Sequence, residues 1–164
     1  LAYELEAFLG AESTIDRAIK DLGQARCVPL AQGVAMIPMT QGLFEELQAA
    51  YGRGEEPPEK QRDYLTAAVA EWARAASRQG LLAYCEVAYA NTMGGQSVVI
   101  WAEGAELERL DDDDSVNQAL RRLGVTCEGT HLGEHGMLQG QDEWDTVGLG
   151  RFRRTEKWLD LAKS

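Results

Sequence analysis

Glu86 is the carboxylate with the most chemical promise in this chain. It stands inside Tyr84-Cys85-Glu86-Val87-Ala88, a run with the residue types of a strand. Strand alternation puts Tyr84 and Ala88 on its face. Buried there, Glu86 needs a partner, and Arg151, Arg153 and Arg154 are the cations that could supply one. Exposed, it is a solvated strand residue. Acid–base work by paired carboxylates needs a second carboxylate close by. Asp142, Glu143 and Asp145 are candidates by type, and no spacing supports them. Glu86, Gln96 and Arg151 together define one expected polar pocket beside a sheet, the pocket of a small enzyme or ligand-binding domain.

The other chemically suggestive residues point less far. His131 and His135 are four apart, a spacing that shares one helix face. Gly129, Gly133 and Gly136 argue against a helix there, and Glu134 is misplaced for a zinc-protease motif, so no metal site is expected. There is no Gly-x-Ser-x-Gly element, and no cysteine has a setting that lowers its pKa. Gly94-Gly95 lacks the Lys-Ser/Thr of a phosphate loop and joins two strands. Gly148-Leu149-Gly150 reads as a tight turn into the last helix, with an anion-binding role as the weaker reading. Asp111 to Asp114 lack the ligand spacing of a Ca²⁺ loop. They suit a helix start, where negative charge complements the dipole. The tail GQDEWDTVGLGRFRRTEKWL reads as a turn and helix pinned by Trp144, Phe152 and Trp158, its charges paired locally. Trp and Arg are also common interface anchors, which makes a recognition surface the alternative.

The elements that must position these residues follow from periodicity. Tyr84 to Gly104 reads as a β-hairpin turning at Asn91 to Gly95. Tyr3, Leu5, Ala7 and Leu9 alternate with Glu4, Glu6 and Phe8, which predicts a half-buried first strand ended by Gly10. A helix is expected from Glu12 or Ser13 to Leu22, closed by Gly23. Cys27 to Leu30 and Val34 to Met39 read as two short strands, with Pro29 and Pro38 at edges or ends. Thr40 caps a helix through Ala50. A loop at Gly52 to Lys60 leads to a long helix from Gln61 to Ser77, with Tyr64, Leu65, Ala68, Val69, Trp72 and Ala76 as its apolar stripe. A short strand at Leu107 to Leu110, a helix from Asp114 or Ser115 to Leu123, an irregular stretch at Gly124 to Gln141 and a basic helix from Arg153 complete the chain. Trp72 and Trp101 are the expected core aromatics.

The 164 residues predict one domain, 1–164, with a sizeable core. Its 45% hydrophobic and 26% charged residues are ordinary for a globular protein. The net charge of -11 disfavours nucleic acid and anionic membrane, and it favours a basic protein partner or simply solubility. Three widely spaced cysteines, Cys27, Cys85 and Cys127, fit a reducing, cytoplasmic setting. No apolar run reaches membrane-span length, and no signal peptide is visible. Leu1 is not an initiator, so residues are expected to precede it.

The hairpin EVAYANTMGGQSVVIW and the tail DEWDTVGLGRFRRTEKWL resemble a set of small bacterial proteins of unassigned function. Those proteins open on a similar strand–helix–strand, here YELEAFLG followed by VPLAQGVAMIPMT. In size, acidity and lack of a catalytic motif the chain is similar to immunity proteins of bacterial toxin systems, which share no single fold. The resemblance transfers no catalytic residue. The expected fold is α+β: a mainly antiparallel sheet with a central hairpin at about 83–103, packed by three to five helices. The expected function is non-enzymatic, toxin neutralisation by an acidic surface made of Glu55, Glu56, Asp111, Asp112, Asp113 and Asp114, with a basic toxin as partner. No cofactor is expected.

Overall fold

The alternation at the start of the chain makes strand β1, Tyr3–Ala11. Everything else is arranged around it. The structure is a computed structural model that describes residues 2–52, 57–58, 63–91, 93–127 and 142–164, together with the backbone of 131–132 and 138–139. Short helix α1, Glu12–Ala18, follows β1 directly and stops four residues before the expected Leu22. Strands β2, Val28–Pro29, and β3, Val34–Pro38, pair antiparallel, with both prolines at strand ends as expected. Helix α2, Gln41–Tyr51, is capped by the Thr40 hydroxyl, which accepts from the Leu43 N–H at 3.1 Å.

Helix α3, Ala67–Ala76, begins six residues later than the sequence predicts. Two interactions fix the late start. The Thr66 hydroxyl accepts from the Val69 N–H and caps the helix at Ala67. The Glu86 carboxylate, 22 residues on, takes the N–H groups of Asp63 and Tyr64. Tyr64 and Leu65 therefore pack against the core from an irregular approach segment rather than from a helical stripe.

The hairpin is β4, Leu82–Ala90, with β5, Met93–Ala102. Met93, Gly94 and Gly95 lie inside β5 rather than in the turn, which is tighter than expected. Gly94 is required there. Its φ is +138°, and a Cβ would sit 2.0 Å from the carbonyl oxygen of Ala88. Strand β6, Ala105–Leu110, completes an antiparallel sheet of order β2-β3-β1-β4-β5-β6. A register irregularity at Ile100/Trp101 bends β5 against β6. Helix α4, Ser115–Arg122, comes next. Strands β7, His131–Leu132, and β8, Leu138–Gln139, then pair antiparallel within the stretch read as irregular. The tail forms α5, Glu143–Val147, and a 3₁₀ segment, Thr155–Leu161, in place of one basic helix from Arg153.

Both sheet faces are covered. One buries Phe8, Ile37, Tyr84, Val99 and Trp101 under α1, α2 and α3. The other buries Leu5, Leu9, Cys85, Val98 and Ile100 under α4, α5 and Trp158. β1 is thus a central strand, deeply buried on both faces in its second half, rather than a half-buried one. Trp72 and Trp101 are core residues as expected, at 4% and 0% exposure. The molecule is α+β, with the sheet between two helical layers.

Candidate functional site

The helical cover over the Phe8 face is incomplete. Strand alternation puts Glu4 and Glu6 of β1 on that face, and Glu86 with them from β4. Glu6 and Glu86 are direct antiparallel partners. Opposed residues have Cβ atoms about 5 Å apart, and two like charges so placed repel. Glu86 is anchored by three donors: the Asp63 N–H at 2.9 Å, the Tyr64 N–H at 2.9 Å and the Tyr84 hydroxyl at 2.8 Å. Both its oxygens are engaged, and it fixes the approach to α3 as a wall.

The opposite wall comes from the tail. β3 pairs with β1 only from Ala7 onward, so Tyr3–Glu6 has no β3 partner. The tail fills that place: the Glu4 N–H donates to the Arg153 carbonyl at 2.9 Å, and the Glu6 N–H to the Thr155 hydroxyl at 3.0 Å. That hydroxyl donates in turn to the Glu6 carboxylate at 2.6 Å. Between the walls lies a cleft of about 390 Å³, floored by Glu4 and Glu6 and flanked by Thr40, Gln41, Asp63, Tyr64, Thr155 and Glu156. Four of its lining residues are acidic and none is basic. Arg154 reaches Glu4 at 3.2 Å from the exposed rim.

The electrostatics register this crowding. Burial lifts the Glu6 carboxyl above its ordinary range; the charges of Glu86, Asp63 and Glu4 add to the rise and the Thr155 hydroxyl opposes it. The Tyr64 phenol is raised by burial, then by Glu6, Asp63, Glu86 and Glu156. Among the described residues no group of three or more His, Cys, Asp or Glu side chains is placed to hold a metal ion.

The expected pocket of Glu86, Gln96 and Arg151 does not form. Gln96 points to the other sheet face and bridges the Asp113 carbonyl and the Val116 N–H, both at 2.9 Å. Arg151 is exposed and lies over the Phe152 ring, 5.4 Å from its centroid. Asp142 caps α5, accepting from the Asp145 N–H, and Glu143 pairs with Arg121 at 2.7 Å. The carboxylate opposite Glu86 is Glu6. The tail's charges are met across the fold rather than locally: Arg154 by Glu4, Glu143 by Arg121 and Asp142 by Asn117.

Asp111 to Asp114 are all exposed, at the start of α4 over the sheet face opposite the cleft. Three of them hold the local fold. Asp112 accepts from the Asp114 N–H, Asp113 from the Tyr89 hydroxyl, and Asp114 pairs with Arg121 at 3.0 Å. Gln96 docks this turn on the hairpin. Gln96→Ala is expected to lower the unfolding free energy by about 1–2 kcal/mol, since it strips a partner from the first turn of α4. Urea unfolding, with faster amide exchange at Val116, would check it. Glu55, Glu56 and His135 lie outside the described residues, as does the His131 side chain.

Cys27 and Cys85 are buried, and burial pushes their thiols up to about 11 and about 12. Neither is a thiolate at neutral pH. Sequence reading missed Glu4, Glu6, Asp63, Thr155 and Glu156 as a group. Part of the signal was present: Glu4 and Glu6 share the polar side of the first strand. No pattern in the sequence shows that residues 149 positions apart would meet, as Glu6 and Thr155 do. No helix among the described residues is long and apolar enough to cross a membrane. No protein-family model, no curated protein and no solved structure matches the chain.

Proposed function

We propose that the protein is a non-enzymatic binding protein of the immunity class, acting in the cytoplasm and neutralising a basic bacterial toxin by covering its active site with an acidic surface. The observation that carries this reading is the cleft: four acidic residues around about 390 Å³ with no basic residue in its lining, on a chain of net charge -11. A lysine or arginine projecting from a toxin's anion-binding site would find there the negative charge that its substrate normally supplies. The aspartates at the start of α4 supply long-range attraction, and their internal hydrogen bonds leave them less free to form close contacts.

Co-expression with a neighbouring gene for a toxin-like domain is the test. Growth should be rescued and a complex should co-purify. Reversing the rim charges with Glu4→Lys and Glu156→Lys together should weaken that complex at least about 100-fold, as expected for close charge pairs. Asp111→Lys should chiefly slow association. Failure of both rescue and co-purification would sink the proposal.

A second reading, a domain for a small cationic ligand, is favoured by the same polar cleft, whose floor residue Glu6 is the strand partner of Glu86. Binding of a free diamine at micromolar concentration, with no effect on any toxin, would select it.

A further inference from the structure

We infer that one ammonium or guanidinium group enters the cleft against Glu6 and competes there with a proton for that carboxylate, so that affinity for the cation depends on pH. The inference rests on the cleft's being the binding site proposed above. It names the group that receives the cation and how reception is regulated.

The argument starts from the opposed pair. Glu6 and Glu86 face each other across β1 and β4. Glu86 already accepts from three donors on its two oxygens. Glu6 has one donor, the Thr155 hydroxyl, on one oxygen; the other has no partner among the described residues. An incoming cation therefore meets Glu6 as the acceptor with capacity to spare.

The charged and titratable groups around Glu6 are Glu4 on its own strand, Tyr84, Cys85 and Glu86 on β4, Asp63 and Tyr64 ahead of α3, and Glu156 beside Thr155. Arg154 is a cation near the cleft, and Glu4 already engages it. The turn after β3 and the first residue of α2 contribute only the neutral Met39, Thr40 and Gln41. With the cleft empty, burial and this negative surround favour the protonated carboxyl, and its pKa is raised accordingly. A cation reverses the balance. The proton passes to solvent, the carboxylate gains a charge-assisted hydrogen bond, and no other bond changes.

The sign follows by linkage. Between the lower pKa of the occupied site and the raised pKa of the empty one each binding event releases a proton, so affinity rises by up to about tenfold per pH unit. Above that range the dependence flattens. Asp63→Asn removes one repelling charge from an exposed position and should shift the break to lower pH without disturbing the backbone bond to Glu86. Glu6→Gln removes the exchangeable proton and should leave weak binding that is flat with pH.

The experiment is a carboxyl-detected ¹³C NMR titration of the whole chain from pH 4 to 8, alone and with two probes: agmatine, and the capped peptide acetyl-Gly-Arg-Gly-amide. The expected result is a Glu6 resonance that titrates late in the free protein and early with a probe bound, with both effects absent in Glu6→Gln. A Glu6 carboxyl that titrates in the ordinary range and does not respond to either probe overturns the inference. So does probe binding that is flat with pH in the unmodified chain. Should the peptide bind only at Asp111 to Asp114, the inference falls and a basic partner stays viable. Should agmatine alone bind with the proton exchange, the inference holds and the protein-partner reading fails.

Discussion

Glu86→Ala is expected to lower the unfolding free energy by about 3 kcal/mol, a large share of the 5–15 kcal/mol typical of a domain. The loss comes from three donors that share one carboxylate. The Tyr84 hydroxyl is the most costly to strand. Tyr84 is fully buried, and burial, reinforced by Glu86, holds its phenol well above the usual range, so it remains a donor at any ordinary pH. Without Glu86 that O–H faces the interior unpaired, at about 1–3 kcal/mol. The Asp63 N–H is exposed and regains water at little cost; the Tyr64 N–H is half-buried and regains it only in part. Glu86→Gln keeps one acceptor oxygen and turns an NH₂ toward a backbone N–H, so about half the loss is expected. Urea unfolding with an unchanged slope would measure both. Exchange of the Tyr64 amide should accelerate in both variants. If both fall within about 0.5 kcal/mol of the parent chain, the anchoring role assigned to Glu86 is wrong.

This residue also shows how far the sequence could be read. The sequence left Glu86 either buried with partners or exposed to solvent. The arginines were the obvious choice because side-chain chemistry is written in the sequence. The partners are backbone amides, which every residue but proline carries and no pattern marks. The same bonds displaced the start of α3. Tyr64 and Leu65 fit a helical stripe well, and local periodicity favoured helix from Gln61. A contact 22 residues away decided otherwise.

Elements set by local chemistry were readable. Thr40 capped its helix as expected, the prolines of β2 and β3 fell at strand ends, and the hairpin paired in one register from Leu82 to Ala90. The cleft was not readable, because it depends on a vacancy. β3 is too short to pair with all of β1, and the tail occupies the remaining edge while leaving space above Glu6. That combination of strand length and tail path belongs to the assembled fold. The glycine turn at Gly148 and the basic residues after it were visible; their destination beside Glu4 was not.

Trp101→Ala should be the most damaging core substitution of those considered, at about 4 kcal/mol. Trp101 is fully buried opposite Leu82, with its ring 6.5 Å from that of Phe8. Phe8 also meets Trp72 at 5.0 Å and Tyr84 at 4.8 Å, so one aromatic cluster joins β1, β4, β5 and α3. Alanine would leave a cavity among four elements that cannot all close on it, since the sheet register fixes three of them. Trp101→Phe separates volume from polarity. The indole N–H of Trp101 is buried without a hydrogen-bond partner among the described residues. Removing it relieves a desolvation penalty of about 1–3 kcal/mol while the smaller ring opens a lesser void. The two terms oppose each other, and a net loss below about 2 kcal/mol is expected. Leu107→Ala, at a residue 54% exposed on β6, should change stability by less than about 0.5 kcal/mol and serves as the control. A Trp101→Phe loss as large as that of Trp101→Ala would mean that the indole N–H has a partner after all. Because Trp101 lies deeper along the sheet than the cleft, Trp101→Phe should bind the arginine peptide as the parent chain does. A stability defect and a binding defect can then be told apart in the same molecule.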